Sequence, residues 1–506
     1  MKLLKLQTEH YIILFAIAIK IVLQIIGTAN SGYHGDELLH IESGNHLAFG
    51  YLDFPPFIGL ISWIQNLFHS DSLYINHLFI YINSILIILF CGLITIRLGG
   101  GVLAVLITES AILFSPGFAV TQYLFLPTAF EQLFWVLIIY YTIEFCNSQN
   151  TKHLIYISLF ASSGFLNKYS IVFLFAGFVS SIFIFKRELL GRKITWIALL
   201  VFMILILPNL FWQNANDFPV LHHMSELYET QLDNQSLIKE LTTLILFLNP
   251  FTLVIWLSAL LIVPFSPKLK AFKLPIFTLL FSFLFLMLAK GKWYYFFPVI
   301  LPLFSFGAVY FERVIQTRKW IIYGYLFILI SCGIYLLPHG IPLFKLKKYI
   351  ELYNLQPNND NKIPLTFENY YSNNNWERII QCVSNTYNTL SNEERKICYV
   401  WGRHYSMAGG INLLGHKYSL PDAFSCHSSF YTWIPEFNKE IVVIAISESN
   451  LEKSFWEQYF KNVEEAGVIE NPFASEKNWY NYRLFVCREL KYNSEELKKM
   501  FQNQIF

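Results

Sequence analysis

The 506-residue chain is poor in charged side chains. Asp, Glu, Lys and Arg make up 14% of it, whereas a soluble globular protein carries about 25%. The deficit lies mainly in the first two thirds of the chain. The net charge is only +2, and no basic patch is interleaved with stacking aromatic residues. We therefore expect no nucleic-acid partner.

The chain also lacks metal-binding spacings and repeats. Its seven cysteines form no CxxC motif and no Cys/His pattern, which argues against a zinc ribbon. No internal repeat is evident, and this weighs against an inverted-repeat transporter. The four cysteines of the C-terminal part allow one or two disulfides outside the cytoplasm without fixing a pairing.

Long apolar runs are abundant. Apolar residues make up 55% of the chain and aromatic residues 18%. Since a membrane span needs about 20 apolar residues, we predict about eleven spans: 11–28, 76–96, 101–115, 128–146, 153–167, 170–186, 194–211, 241–264, 273–289, 293–311 and 320–338. With a cytoplasmic N-terminus, the inside loops carry fourteen Lys and Arg residues and the outside loops four, as the positive-inside rule requires. An odd number of spans then places the C-terminus outside.

The pattern changes near residue 339. We predict a transmembrane domain over 1–338, with structured outer loops at 29–75 and 212–240. Beyond it, charged residues and Asn become frequent, and short buried strands such as CYVWG and EIVVIAIS alternate with amphipathic helices. This alternation predicts a small extracytoplasmic α/β domain over 339–506.

The first outer loop holds the strongest chemical signal, Tyr33-His34-Gly35-Asp36-Glu37, followed by Asp53 in GYLDFPP. One interpretation is a solvated loop with a helix start, because Asp is common as an N-cap. The other is a pair of carboxylates at the membrane surface, where partial burial raises the pKa and suits a general base. Spacing leaves both open.

Glu131 and the outer lysines pose a similar choice. Glu131 begins the fourth span and is either an interface residue or a functional carboxylate inside the bundle. The lysines are accompanied by tyrosines, in Lys168-Tyr169 and in Lys290-Gly291-Lys292-Trp293-Tyr294-Tyr295. They are either snorkelling cations in an aromatic belt or ligands of an anionic head group, most naturally a phosphate.

Two weaker candidates remain. The adjacent pair His222-His223 is a poor chelate on a helix, since neighbouring residues do not face the same way. One of these imidazoles could join Asp53 around a divalent metal ion. In the C-terminal domain, Trp401, His404, Tyr405 and Trp433 are either core residues or aromatic contacts for a sugar.

These segments, in order along nearly the whole chain, resemble the GT-C membrane glycosyltransferases. The bacterial branch of glycosyltransferase family 39, the dolichyl-phosphate-mannose protein mannosyltransferases, is most similar, and the aminoarabinose transferase of lipid A is more distant. The resemblance rests on Asp36-Glu37, Gly50-Tyr51-Leu52-Asp53-Phe54-Pro55-Pro56, Ala129-Phe130-Glu131-Gln132, Leu166-Asn167-Lys168-Tyr169, Asp217-Phe218-Pro219-Val220-Leu221-His222-His223, Lys292-Trp293-Tyr294-Tyr295, Tyr405-Ser406-Met407-Ala408-Gly409-Gly410 and Leu414-Gly415.

The resemblance implies a role for each residue. Asp36 would be the leading catalytic carboxylate with Glu37 beside it, and Glu131 a second acidic residue where the family has Asp. The donor phosphate would meet the lysines and tyrosines of two segments: Lys168, Tyr169, Lys290, Lys292, Tyr294 and Tyr295. Asp53 and His223 match metal-binding positions of the aminoarabinose branch, although Phe54 replaces a basic residue there. A divalent metal ion is the one cofactor implied.

The function expected from the resemblance is transfer of a hexosyl or pentosyl group from a polyprenyl-phosphate carrier to a hydroxyl of a protein, lipid or glycan. Transfer would occur at the outer face of the cytoplasmic membrane with inversion, Asp36 acting as the base. The alternative is a transporter or flippase of a lipid-linked solute, which would require polar residues along the span centres. A surface-binding module on a membrane anchor is a third class, for which the spans are too many.

Overall fold

The computed structural model describes residues 7–233, 235–315, 317–365, 372–502 and 504–505. The chain forms two compact units. The first contains the chain up to Ile26, Phe54–Phe57 and His77–Ile341. The second contains Gly27–Asp53, Ile58–Asn76 and the chain from Pro342 onward.

The α-helices follow one another along both units. Those up to residue 165 are α1 Thr8–Ala29, α2 Gly35–Glu42, α3 Phe57–Asn66, α4 Leu73–Asn76, α5 Leu78–Arg97, α6 Val102–Leu113, α7 Pro116–Thr121, α8 Pro127–Ser148 and α9 Lys152–Phe165. Those up to residue 336 are α10 Val172–Phe185, α11 Lys193–Ala215, α12 Pro219–Leu227, α13 Leu237–Phe247, α14 Leu253–Leu261, α15 Lys273–Leu288, α16 Phe297–Val314 and α17 Lys319–Leu336. The remainder are α18 Leu346–Leu352, α19 Ser372–Thr389, α20 Asn392–Lys396, α21 Tyr405–Leu414, α22 Lys453–Trp456 and α23 Ser494–Phe501.

All eleven predicted spans fall on helices, but they differ in length. Within the described residues, seven helices are long and apolar enough to cross a membrane. An eighth span arises if Leu237–Phe247 and Pro250–Phe265, which meet at a bend of 102°, count as one. Val102–Leu113 and Tyr169–Phe185 are shorter apolar helices, and α9 has only 14 residues. The predicted polytopic helical fold is confirmed.

Helices α8 and α16 form the core of the first unit. In each, 78% of the most apolar 18-residue window is buried, as expected for helices that are apolar on all sides. Helix α16 packs against α5, α6, α8 and α14. Its last turn also caps two neighbours. Glu312 accepts backbone N–H bonds from Gly101, Leu103 and Ala104 at the start of α6, and Arg313 donates to the Leu98 carbonyl at the end of α5. These contacts satisfy groups that a helix end leaves open.

The second unit contains a mixed five-stranded sheet with the order β2-β1-β3-β5-β4. The strands are β1 Cys398–Gly402, β2 Ala423–Phe424, β3 Val442–Glu448, β4 Phe460–Glu470 and β5 Asn481–Leu490. Strand β1 is parallel to β2 and β3, whereas β5 is antiparallel to β3 and β4. The predicted small C-terminal sheet domain is therefore confirmed.

Both faces of the sheet are covered. Alternate residues such as Trp401, Val443 and Phe485 belong to one hydrophobic core with α22 and α23 residues, while their neighbours Val400 and Ile444 are also fully buried. Helices α19 and α21 pack against the sheet as well. The continuous apolar run predicted as a buried strand reflects this double coverage. Cys426 and Cys487 lie unpaired in the core, and Cys382 and Cys398 are also free.

The first outer loop belongs structurally with the C-terminal part. Residues 27–53 and 58–76 fall in the second unit, whereas the sequence prediction grouped 29–75 with the transmembrane domain. Helix α2 packs against α21. The approach is close, because a Cβ added at Gly409 would lie 2.9 Å from the Cβ of Leu38. The division between the units therefore differs from a single boundary at residue 338.

Candidate functional site

Helix α2 carries Asp36 and Glu37 in its first turn. His34 is the N-cap, and its Nδ1 accepts a hydrogen bond from the Asp36 backbone N–H at 3.2 Å. Glu37 completes a capping box, since its Oε2 accepts from the His34 backbone N–H at 2.7 Å. Glu37 is fully buried. This position gives Glu37 a structural task, and its predicted catalytic role stays a prediction.

Asp36 is held by a residue from the far end of the chain. The Tyr405 hydroxyl donates to Oδ1 of Asp36 at 2.5 Å. The Asp36 side chain nevertheless remains 46% exposed. A hydrogen bond to one carboxylate oxygen fixes the orientation of the group, so the second oxygen is available to an incoming proton donor.

The fold explains why Tyr405 is at this place. Strands β1 and β2 are parallel, with Trp401 level with Phe424, so the segments that follow them leave the same edge of the sheet. The first carries His404 and Tyr405 and the second carries His427. Their rings pack together: Tyr405 lies 4.0 Å from His404 and 5.0 Å from His427, centroid to centroid. The carboxyl edge of parallel strands is a common ligand site in α/β sheets.

Burial keeps the imidazoles of this cluster neutral. It lowers the pKa of His40 and of His427 to about 4 each, and it lowers the pKa of His404 well below its usual value. Nearby carboxylates only partly oppose this effect. At neutral pH these rings therefore add bulk and hydrogen-bonding groups to the site but no positive charge.

The pKa of Asp36 is shifted in a direction that favours its charged form. Burial favours a raised pKa, but the charge of a protonated His34 and the hydrogen bond from Tyr405 outweigh it, so the pKa of Asp36 lies below its usual value. The Tyr405 hydroxyl is therefore one of the groups that favour the ionised carboxylate.

Asp53 is engaged by the segment after β2. Its Oδ2 accepts from the Ser428 hydroxyl at 2.5 Å, the Ser429 hydroxyl at 2.7 Å and the Ser429 backbone N–H at 2.9 Å. In the part of the chain that the structure describes, no group of three or more His, Cys, Asp or Glu side chains is arranged to hold a metal ion. His223 is half-buried on α12. Oδ2 of Asp53 is thus already occupied by three donors. The metal stays a prediction.

A second cluster lies in the first unit, around Lys168. The Lys168 Nζ is 3.1 Å from Oε2 of Glu131 and donates to the Thr128 hydroxyl at 3.2 Å. It also stands over two aromatic rings, 4.8 Å from the centroid of Tyr295 and 5.4 Å from that of Tyr294. The structure thus brings together four of the residues singled out from the sequence, Glu131, Lys168, Tyr294 and Tyr295.

Glu131 is the buried member of this cluster. Its side chain is 3% exposed, compared with 20% for Lys168. The Ser170 hydroxyl donates to the other carboxylate oxygen at 2.5 Å. A carboxylate buried in a bundle needs such partners, so Glu131 is an interior residue and not one exposed at the interface.

The other predicted phosphate ligands contact other groups. Lys290 is exposed, with its Nζ 3.3 Å from Oδ1 of Asp233, and Lys292 donates to Oε1 of Gln231. The Tyr169 hydroxyl donates to Asn209 at 2.9 Å and accepts from Gln213 at 3.0 Å, which ties it to α11. Their roles toward a donor phosphate stay predictions.

The aromatic candidates of the C-terminal domain separate into core and surface. Trp401 is fully buried in the sheet core. Trp433 is half-buried and stacks on His46, with ring centroids 4.4 Å apart and planes within 8°. His404 and Tyr405 lie beside Asp36, as described above.

Comparisons with known proteins bear on the fold of the chain. A family model described as "Dolichyl-phosphate-mannose-protein mannosyltransferase" matches residues 53–212. The chain is similar in structure to ArnT from Cupriavidus metallidurans bound to undecaprenyl phosphate, with 11% identity and a TM-score of 0.59 over 95% of this chain and 98% of that one. The apo state of the same protein gives 10% identity and a TM-score of 0.60 over 93% and 97%. No curated protein sequence matches significantly.

The chain has the GT-C fold. It is a multi-pass membrane protein of that architecture, and the resemblance inferred from the sequence is confirmed. The sequence did not predict that Tyr405 would bond Asp36 or that Ser428 and Ser429 would bond Asp53. The position of Tyr405 just after the predicted strand CYVWG was a usable signal, because functional side chains often follow buried parallel strands.

Proposed function

We propose that the chain is a glycosyltransferase that moves a sugar from a polyprenyl-phosphate carrier to an acceptor hydroxyl. The donor sugar is a hexose or a pentose, and the acceptor belongs to a protein, a lipid or a glycan. The reaction takes place at the outer face of the cytoplasmic membrane and inverts the configuration at the sugar carbon.

The observation that carries this proposal is the state of Asp36. Its carboxylate is oriented by the Tyr405 hydroxyl and is still nearly half exposed. Its lowered pKa keeps it ionised at neutral pH. An ionised, oriented and accessible carboxylate is what a general base for a hydroxyl nucleophile requires, and such groups contribute about 10²–10⁴-fold to rate.

The chemistry needs one base and a stabilised leaving group. Asp36 takes the proton of the acceptor hydroxyl as its oxygen forms a bond to the anomeric carbon. The bond from that carbon to the phosphate oxygen breaks, and polyprenyl phosphate leaves with the electron pair. Attack from the side opposite to the phosphate inverts the centre in a single displacement.

The leaving phosphate is already anionic and needs positive charge more than it needs a proton. Lys168 is the candidate cation, since its Nζ lies against Tyr294 and Tyr295 and its side chain is 20% exposed. A lysine binds phosphate as a point charge, and the tyrosine hydroxyls can donate to the remaining phosphate oxygens. Glu131 holds Lys168 in place before the donor arrives.

The orientation rests on charge. Fourteen Lys and Arg residues fall in the loops assigned to the cytoplasm and four in those assigned to the outside, an asymmetry that sets the topology of membrane proteins. This orientation assigns Asp36, Glu131 and Lys168 to the outer side. The ArnT structure bound to undecaprenyl phosphate supports a lipid-phosphate donor for this chain by analogy of fold.

The test is a deletion strain complemented by the wild-type chain or by the Asp36→Asn variant. Cell-surface glycans and glycolipids are compared by mass spectrometry. We expect a glycan that disappears on deletion, returns with the wild-type chain and stays absent with Asp36→Asn, although the variant protein reaches the membrane at normal abundance.

Normal function of the Asp36→Asn variant would contradict the assigned role of Asp36. If Asp36→Asn restores the missing glycan fully, Asp36 is not the base. To separate transfer from transport, purified protein is given undecaprenyl-phosphate-linked sugars carrying a labelled hexose or pentose. Release of free undecaprenyl phosphate supports the transferase, whereas passage of the intact lipid-linked sugar across a vesicle membrane supports a flippase.

A further inference from the structure

An apolar cavity of about 310 Å³, open on one side, lies in the first unit and is lined by α8, α9, α10 and α11. Its volume falls at the lower end of the range of ligand pockets. Residues from all four helices line it, among them Ile138, Ile157, Leu174, Phe178, Leu199 and Phe202. The Lys168 cluster contributes no residue to this lining. We refer to it as the α8–α11 cavity.

The wall of the α8–α11 cavity offers little to a polar ligand. Two hydroxyls belong to its lining, those of Ser158 and Thr195. Ser158 donates to the carbonyl of Ala198 at 2.5 Å, and Thr195 donates to the carbonyl of Leu189 at 2.7 Å. Because both protons already have acceptors in the protein, the wall suits a hydrocarbon chain.

One end of the cavity has a basic rim. The segment 186–193 joins α10 to α11, and its Leu189 and Leu190 line the cavity. The same segment carries Lys186, Arg187, Arg192 and Lys193 against the single acidic residue Glu188. Three more positive than negative charges therefore lie next to an apolar opening.

The tryptophan beside this rim is placed as at a lipid interface. Trp196 lines the cavity and is 59% exposed. Its Nε1 donates to the Leu190 carbonyl at 2.9 Å, which leaves the apolar ring face open to the surroundings. Tryptophan is enriched where the hydrocarbon region of a membrane meets the head groups.

We propose that the α8–α11 cavity binds one acyl chain of an anionic phospholipid, whose head group lies against the basic rim. Helix α11 is a candidate span, so the open side of the cavity would be accessible to acyl chains of the bilayer. The rim selects for charge, since a basic residue near the surface attracts anionic lipids. Glu188, which pairs with Lys186, balances only part of this charge, and a neutral lipid would add no anionic group.

This site is separate from the candidate site for the donor phosphate. The basic rim follows the C-terminal end of α10, whereas Lys168 precedes its N-terminal end. Helix α10 has 14 residues, which corresponds to roughly 21 Å. The inference therefore does not depend on the proposed function, and its test measures lipid binding and not transfer.

The experiment uses purified full-length protein in detergent with equal amounts of phosphatidylglycerol, phosphatidylethanolamine and undecaprenyl phosphate. Bound lipid is identified by native mass spectrometry. We expect the wild-type chain to retain phosphatidylglycerol in preference to phosphatidylethanolamine. The double variant Arg192→Gln/Lys193→Gln should lose about 25-fold of that preference, at about fivefold for each cation.

Two further variants sharpen the result. Lys270→Gln/Arg318→Gln removes two exposed cations from other loops and should leave the preference unchanged. Ala161→Phe places a ring in the cavity and should abolish retention of phosphatidylglycerol. If Ala161→Phe does not fold, Leu199→Trp serves instead, because Leu199 lines the cavity and is already 47% exposed.

Three outcomes would overturn the proposal. The first is equal retention of the two phospholipids by the wild-type chain, which indicates only annular lipid. The second is the same loss of preference in the rim variant and in its control. The third is a cavity-filling variant that no longer retains undecaprenyl phosphate but still retains phosphatidylglycerol. That result would make the cavity part of a polyprenyl site.

Discussion

Replacing Lys168 by Met separates the structural from the functional role of the Lys168 cluster. Methionine keeps most of the length and apolar stem of lysine but removes its charge. Glu131, with a side chain only 3% exposed, then loses the cation 3.1 Å away and keeps the bond from Ser170. The variant therefore leaves a charge in the bundle with one of its two main partners gone.

The expected loss of folding free energy in Lys168→Met follows from the burial of Glu131. Removing one partner of a buried pair costs about 3–5 kcal/mol, and the 20% exposure of Lys168 together with the remaining bond from Ser170 argues for about 2–3 kcal/mol. For a unit of this size, this corresponds to a fall in Tm of roughly 3–5 °C. In the double variant Lys168→Met/Glu131→Gln, the neutral amide still accepts from Ser170, and most of the stability should return.

The control is Lys290→Met in the same unit. Lys290 and Asp233 are an exposed pair, with side chains 42% and 55% exposed, and such pairs contribute about 0–1 kcal/mol. Thermal unfolding in detergent, followed by tryptophan fluorescence, should therefore show little change for this variant. A large fall in Tm for Lys290→Met would refute the use of burial to rank the two pairs.

Activity then decides the role of Lys168. If it meets the donor phosphate, both Lys168→Met and the stable double variant should release little polyprenyl phosphate, with kcat/KM lowered at least tenfold. Recovery of near-normal turnover in the double variant would show that the pair only holds the bundle together. That result would refute the assignment of Lys168 to the phosphate.

Three further predictions concern the second unit. Asp36→Asn should lower kcat by about 10²–10⁴-fold. Its Tm should be unchanged, since the amide oxygen still accepts the hydrogen bond from Tyr405. The control Asp71→Asn, at an exposed ion pair with Lys417, should retain activity. Tyr405→Phe should move the acidic limb of the pH–rate profile to higher pH. Loss of the hydrogen bond raises the pKa of Asp36, so the base becomes protonated at a higher pH as the pH falls. An acidic limb at the wild-type pH would contradict this. Asp53→Ala should lower stability by roughly 1–3 kcal/mol in thermal unfolding, since Oδ2 accepts three hydrogen bonds, and an unchanged Tm would show those bonds to be unimportant.

Local pattern was enough to predict the elements of the fold. Every apolar run read as a span corresponds to a helix, because backbone groups in a membrane must be satisfied within the segment. The bend of 102° in the predicted span 241–264 was not predicted. It occurs at Asn249, which has a φ of 66° and is followed by Pro250, and a turn signal of this kind is easily hidden within an apolar run.

The sequence indicated several candidate residues of the site but not which side chains contact one another. Glu131 and Lys168 are 37 positions apart in the numbering, and only the packing of α8 against α9 brings them together. Glu37 shows the opposite problem. Its charge and its position beside Asp36 suggested catalysis, but a Glu at the third position of a helix is also a capping residue, and the fold uses it in that way.

The pairing of Asp36 with Tyr405 changes what the C-terminal domain is expected to do. The two residues are separated by 369 positions, and the loop that carries Asp36 belongs to the same compact unit as the sheet. A domain that only covered the bundle would have no reason to place His404, Tyr405 and His427 at the carboxylate. Because the hydroxyl of Tyr405 orients the proposed base and favours its ionised form, the proposed mechanism would assign the C-terminal domain a part in the chemistry. Variation in the segments after β1 and β2 should therefore alter acceptor use as well as stability.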